Sequence, residues 1–287
     1  MPVVDTHQHL WDLTRFRLPW LQGAGPLNRS YVTRDYLEAA RGLNIVKAVY
    51  MEVDVAPEQH VAEAEHLIEL CRSGAGPTVA AVIGGRPASE GFRDYIARFK
   101  GNAYIKGVRQ VLHGAPRGLC LEPRFVQGVR ALGELGMSYD LCMRPGELGD
   151  GLKLVEQCPD TRFIVDHCGN ADPKAFRPDG PKSHDPDPWR RDMAALAKAK
   201  TTICKISGIV ASAPKGWTPD DLAPIINHCL ESFGPDRVVF GGDWPICTAG
   251  ATLAQWVEAL KVVIRNRPEP DQRKLLHDNA VRFYGLA

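Results

Sequence analysis

The chain has 287 residues, a formal net charge of +1, 44% hydrophobic and 24% charged side chains, enough to bury a sizeable core as a soluble globular protein. So even a charge balance gives no electrostatic reason to expect nucleic acid or an anionic membrane as partner. No apolar run approaches a bilayer span, and a polar motif begins within four residues of Met1. That leaves no room for a secretion signal, so a cytoplasmic protein is expected. Eight cysteines (71, 120, 142, 158, 168, 204, 229 and 247) form no CxxC pair and read as reduced thiols packed in the core.

In chain order, short β-rich runs alternate with longer amphipathic stretches. The first run, VVDTHQHL (3–10), carries Asp5, His7 and His9 and leads into an irregular insertion at 13–31. A helix is predicted over 34–42, a strand over 45–53 with Glu52 near its end, and a helix over 57–73. Strand 78–85 and helix 89–99 follow. Strand 103–112 holds Lys106 and Arg109 and precedes helix 122–136. Then come strand 137–144, helix 146–157 and strand 161–169, which ends in Asp166 and His167. A second irregular segment, 170–188, is rich in Pro, Asp and Gly. Helix 188–199, strand 201–210 with Lys205 and Ser207, helix 219–233, strand 237–245 with Asp243, helix 251–265 and a last helical stretch, 271–286, complete the chain.

Eight strands and eight helices in alternation call for parallel strands joined by crossover helices. In a chain of this length that pattern predicts one α/β domain over 1–287, a (β/α)8 TIM barrel with long loops after strands 1 and 6. A doubly wound open sheet is the competitor, but no GxGxxG follows the first strand.

Chemistry in such a barrel sits at the C-terminal ends of the strands, and buried parallel strands are otherwise apolar. The polar residues collected there are therefore candidates. His7 and His9, two apart on a strand, share a face at about 6.5–7 Å, close enough to converge on one ion or one oxygen. Two glycines before Asp243 let the backbone approach closely and project the carboxylate beside strand 1. A helix cap is the ordinary alternative for Asp243, and a satisfied core histidine the alternative for His167. Arg109 reads as a clamp for an anion or hydroxyl through its planar fork. Lys106 and Arg109, three apart, should face opposite ways.

The motifs DTHQHLWD, KGVRQ, DHCGN, CKISG, GGDWP and the closing LLHDNAVRFYGL, in this order along nearly the whole chain, resemble the amidohydrolase-2 branch of the amidohydrolase superfamily. Within that branch they are most similar to the sugar-lactone and pyrone-dicarboxylate lactonases. The resemblance implies a hydrolase that opens a small lactone, a sugar-derived aldonolactone in the first instance. Asp243 would activate water, and His7, His9 and His167 would polarise the carbonyl directly or through a metal. Arg109, Glu52, Trp11, Trp20 and Trp244 would bind substrate. It also implies one divalent metal ion, zinc by preference, held by His7, His9 and Asp243, with metal-free catalysis as the alternative. A binuclear centre is not expected, because strand 5 offers Asp140 and Cys142 but no histidine. A metal-dependent decarboxylase or amide hydrolase, and a non-catalytic ligand-binding barrel, are the competing readings.

Overall fold

The computed structural model describes residues 1–286. Eight strands run in sequence order around one sheet: β1 (Val3–Gln8), β2 (Ile45–Met51), β3 (Thr78–Gly84), β4 (Ile105–Val111), β5 (Ser138–Cys142), β6 (Arg162–Val165), β7 (Thr202–Ile206) and β8 (Val238–Phe240). Each successive pair is parallel. Between β8 and β1 the ring closes through a parallel bridge from Gln8 to Trp244. Asp243 N–H donates to the His7 carbonyl at 2.7 Å, and His9 N–H to that of Trp244 at 2.9 Å. The expected (β/α)8 barrel is the fold, and the two ends of its sheet meet side by side.

The intervening helices are α1 (Thr33–Ala39), α2 (His60–Ser73), α3 (Phe92–Ala97), α4 (Pro123–Glu134), α5 (Leu148–Gln157), α6 (Pro186–Leu196), α7 (Pro219–Phe233) and α8 (Leu253–Ile264). Local signals set their starts. Pro123, Pro186 and Pro219 occupy first-turn positions, where a missing N–H costs nothing. Thr252 and Gln255 form a reciprocal capping box at α8.

Two apolar layers follow from strands buried on both faces. The larger lies between strands and helices. The smaller fills the barrel, where Val4, Val49, Val82, Ile164, Ile203 and Val239 meet Ala280, Tyr284 and Leu286 from the C-terminal segment. That segment crosses the N-terminal ends of the strands. Asn279 Nδ2 donates to Val238 O at 2.8 Å, Arg162 Nη1 to Phe283 O at 2.6 Å and Lys106 Nζ to Gly285 O at 3.4 Å. Lys106 thus serves the closed end of the barrel, while Arg109 faces the open one.

Two residues further along the inward faces the lining turns polar: Ile203 gives way to Lys205, and Ile164 to Asp166. Aliphatic packing stops there, and the open end of the barrel begins. The insertions after β1 and β6 lie at that end. The first is pinned by an antiparallel bridge between Trp11 and Tyr31, the second by Phe176 packed edge-on against Trp189.

Candidate active site

One cavity of about 510 Å³ opens at the C-terminal ends of the strands. Asp243, His9, His167 and Arg109 reach it, with Trp11 and Trp20 on one side. His7 lies just beneath, fully buried.

The Gly-Gly-Asp turn after β8 explains how Asp243 arrives. Asp5 accepts hydrogen bonds from Gly242 N–H at 2.7 Å, His7 N–H at 3.0 Å and the Tyr36 hydroxyl at 2.7 Å. A Cβ on Gly242 would stand 2.6 Å from Asp5 Oδ2, and one on Gly241 2.7 Å from His7 Cβ, so only glycine permits this approach. Asp243 itself takes φ 54° and His167 φ 51°, left-handed conformations that store strain where the chain turns into the cavity.

Asp243 Oδ1 stands 3.3 Å from His9 Nε2 and 3.7 Å from His7 Nε2. His9 donates its Nδ1–H to the Met51 carbonyl at 2.9 Å, which turns the Nε2 lone pair toward that carboxylate oxygen. Two acceptors so close need a proton or a cation between them. The spacings match the ligand-to-ligand edge of about 3.3 Å that follows from metal–ligand bonds of about 2.0–2.1 Å. His9 and Asp243 therefore fit a divalent ion such as zinc. His167 is the available third donor, since its ligand atom lies within 4.8 Å of that of Asp243, while His7, accepting from Lys205 at Nδ1, carries its proton on Nε2.

Around His7 the charges are dense. Lys205 Nζ approaches its Nδ1 at 3.1 Å and Arg109 Nη1 its Nε2 at 3.2 Å. Burial, then Lys205, holds the His7 imidazole well below its ordinary pKa, and burial likewise lowers His167, so both rings are neutral near pH 7. His167 Nδ1 pairs with Ser207 Oγ at 2.9 Å. Burial raises Asp166, but the Lys205 ammonium and then His7 outweigh it and keep that carboxyl well below the usual range.

Not every expected substrate-binding residue lines the wall with a free side chain. Arg109 lines the cavity, but its fork is occupied: Nε donates to Glu52 Oε1 at 2.6 Å and Nη2 to Glu52 O at 2.8 Å. Glu52 is fully buried as that partner and does not line the wall. Nor does Trp244 line it: its ring packs edge-on against Tyr31 and Tyr36. Trp11 and Trp20 do line the wall, their indole N–H groups donating to Arg29 O and Val53 O. His113, Cys142 and Asn170 also line it and were not singled out as site residues. Alternation pointed to two of them: His113 continues the face of Arg109 and Val111, and Cys142 that of Asp140.

An amidohydrolase family model matches residues 4–286. The chain belongs to the amidohydrolase family. It is thereby an enzyme, a hydrolase, and several of its relatives are named as lactonases. It is 27% identical over 294 residues to an L-fucono-1,5-lactonase of Burkholderia multivorans, covering 99% of this chain and 96% of that one. With an L-rhamnono-gamma-lactonase of Scheffersomyces stipitis it shares 23% identity, covering 99% and 98%. A crystal structure of a Burkholderia multivorans amidohydrolase with bound zinc superposes with a TM-score of 0.86 at 24% identity, each chain covered completely. In this amidohydrolase, among the described residues, no helix is long and apolar enough to cross a membrane.

Proposed function

We propose that this amidohydrolase opens a sugar-derived lactone, an aldonolactone, by adding water to the ring carbonyl. The observation that carries the reading is the convergence of Asp243 Oδ1 with the Nε2 atoms of His9 and His7 at the base of a cavity walled by Trp11 and Trp20. Tryptophan faces suit the C–H faces of a sugar ring. The lactone names of the relatives, carried over the full length of the chain, point the same way.

In this mechanism Asp243 holds the attacking water and takes its proton as the new C–O bond forms. It returns that proton to the ring oxygen when the acyl–oxygen bond breaks, leaving a hydroxy acid. General-base assistance of this kind is worth roughly 10²–10⁴ in rate. His167 faces the carbonyl as a donor, its Nδ1 taking the Ser207 hydroxyl, while the His9 Nε2 lone pair is left for the water or an ion. A donor aimed at the developing oxyanion supplies about 3 kcal/mol. Arg109, held by Glu52, keeps a fixed positive charge behind that oxygen. A divalent ion bound by His9, Asp243 and a third histidine would supply Lewis-acid polarisation and a more acidic water.

The test is a panel of sugar lactones followed with a pH indicator, before and after chelation, on the wild type and on Asp243→Asn. The variant should lose at least about 10²-fold in kcat with an unchanged circular dichroism spectrum. Near-normal turnover by that variant would end this reading.

A further inference from the structure

Lactone hydrolysis begins with a neutral ring and ends with a carboxylate, which is ionised at neutral pH because its ordinary pKa is about 4. The charges on the cavity wall bear on both states. Besides histidines, the ionisable residues that reach it are Asp54, Asp172, Asp243 and Arg109. The single guanidinium is committed to Glu52. A second, Arg86, stands beside the wall, but Asp54 holds it: Arg86 Nη2 donates to Asp54 Oδ1 at 2.6 Å. Asp172 is tied to its own loop by Lys174 N–H at 3.0 Å and Ser183 Oγ at 2.7 Å. No unpaired cation among the described residues lines this cavity to receive an anionic substituent.

Resting on the lactonase reading, we infer that Asp54 is a specificity residue. By holding Arg86, it keeps that guanidinium from receiving an anionic substituent, restricts the site to uncharged polyhydroxylated lactones and hastens departure of the carboxylate product. Asp54 acts through Arg86 and has no part in bond breaking. Its backbone suits the test. Asp54 sits at φ 49° and its N–H donates to Glu52 Oε2 at 2.7 Å, and asparagine accepts that left-handed conformation as readily as aspartate. Asp54→Asn therefore removes the charge without unfolding the turn.

The experiment compares an aldonolactone with an aldarolactone that differs from it by a free carboxylate, and measures inhibition by the aldonate product. The wild type should favour the neutral lactone by about a hundredfold in kcat/KM, because the extra carboxylate meets Asp172 and Asp243 on the wall with no free cation to receive it. Asp54→Asn should shrink that preference about tenfold, chiefly through KM for the aldarolactone, and tighten aldonate inhibition by a similar factor. Adding Arg86→Gln should abolish both gains, which separates charge release from a general loosening of the loop. Equal use of both lactones by the wild type, or an unchanged preference in Asp54→Asn, overturns this inference and leaves the lactonase reading standing. Failure to open any lactone overturns both.

Discussion

Lys205 has three hydrogens to donate, and three acceptors surround it: Asp140 Oδ2 and Asp166 Oδ1 at 2.9 Å and His7 Nδ1 at 3.1 Å. All four side chains are fully buried. A lysine inside a buried β-strand is unusual unless it is paired, and these partners are the pairing. It neutralises two carboxylates that would otherwise repel each other on adjacent barrel strands, and it orients the first histidine of the site. Removing one partner of such a group leaves uncompensated charge, at a cost of roughly 3–5 kcal/mol. Lys205→Met should therefore lower the unfolding free energy, read from urea melts, by that much. Adding Asp140→Asn should recover part of the loss, because it removes one of the two stranded carboxylates.

At the scale of elements, the site depends on a knot that ties α1 to both ends of the sheet. Tyr36 on α1 donates to Asp5 on β1, and Asp5 receives the N–H of Gly242 after β8. Tyr36→Phe leaves Asp5 Oδ2 without its donor in a buried setting. A lost hydrogen bond to a charged group is worth about 1.5–3 kcal/mol. That variant should melt earlier and also lose activity, since the turn that presents Asp243 hangs on the same carboxylate. An unchanged melting temperature would show that Asp5 is satisfied some other way. Specificity is likewise a property of elements: the loops after β1 and β6 contribute Trp20 and Asp172 to the cavity.

Across the whole molecule, buried titratable groups set how stability follows pH. Glu63 on α2 is fully buried, and burial, then Glu52, raises its carboxyl to about 8 from an ordinary 4.5. A raised pKa means the native state holds a proton that the unfolded chain has released. Its contribution is present below pH 4.5 and is lost as pH rises toward 8. His7 and His167 act from the other side. Their lowered values mean the unfolded chain takes up protons first, so stability falls as pH drops below 6.5. Glu63→Gln copies the protonated acid and should flatten the alkaline decline between pH 4.5 and 8 while leaving the acid limb intact. Thermal melts of both proteins across that range check it. A decline that persists in Glu63→Gln would place its source elsewhere.

The architecture was legible in the sequence because each strand and helix carries its own signal: apolar runs of strand length, amphipathic stretches of helix length, prolines at helix starts. Eight such units alternating call for a parallel sheet covered by helices, and their number and the missing GxGxxG favoured the closed barrel over an open sheet. The positions of His7, His9, His167 and Asp243 at strand ends followed from the same count. Partners could not be read this way, since nothing in the spacing shows that Glu52 takes the fork of Arg109 or that Tyr31 and Tyr36 cover Trp244. Those pairings join residues from different strands and loops, and low-dielectric burial decides which charges must meet. Sequence determined which side chains stand at the open end of the barrel. Tertiary structure decided which of them stay free to touch a substrate, because a buried charge is claimed by the nearest opposite charge before any ligand arrives.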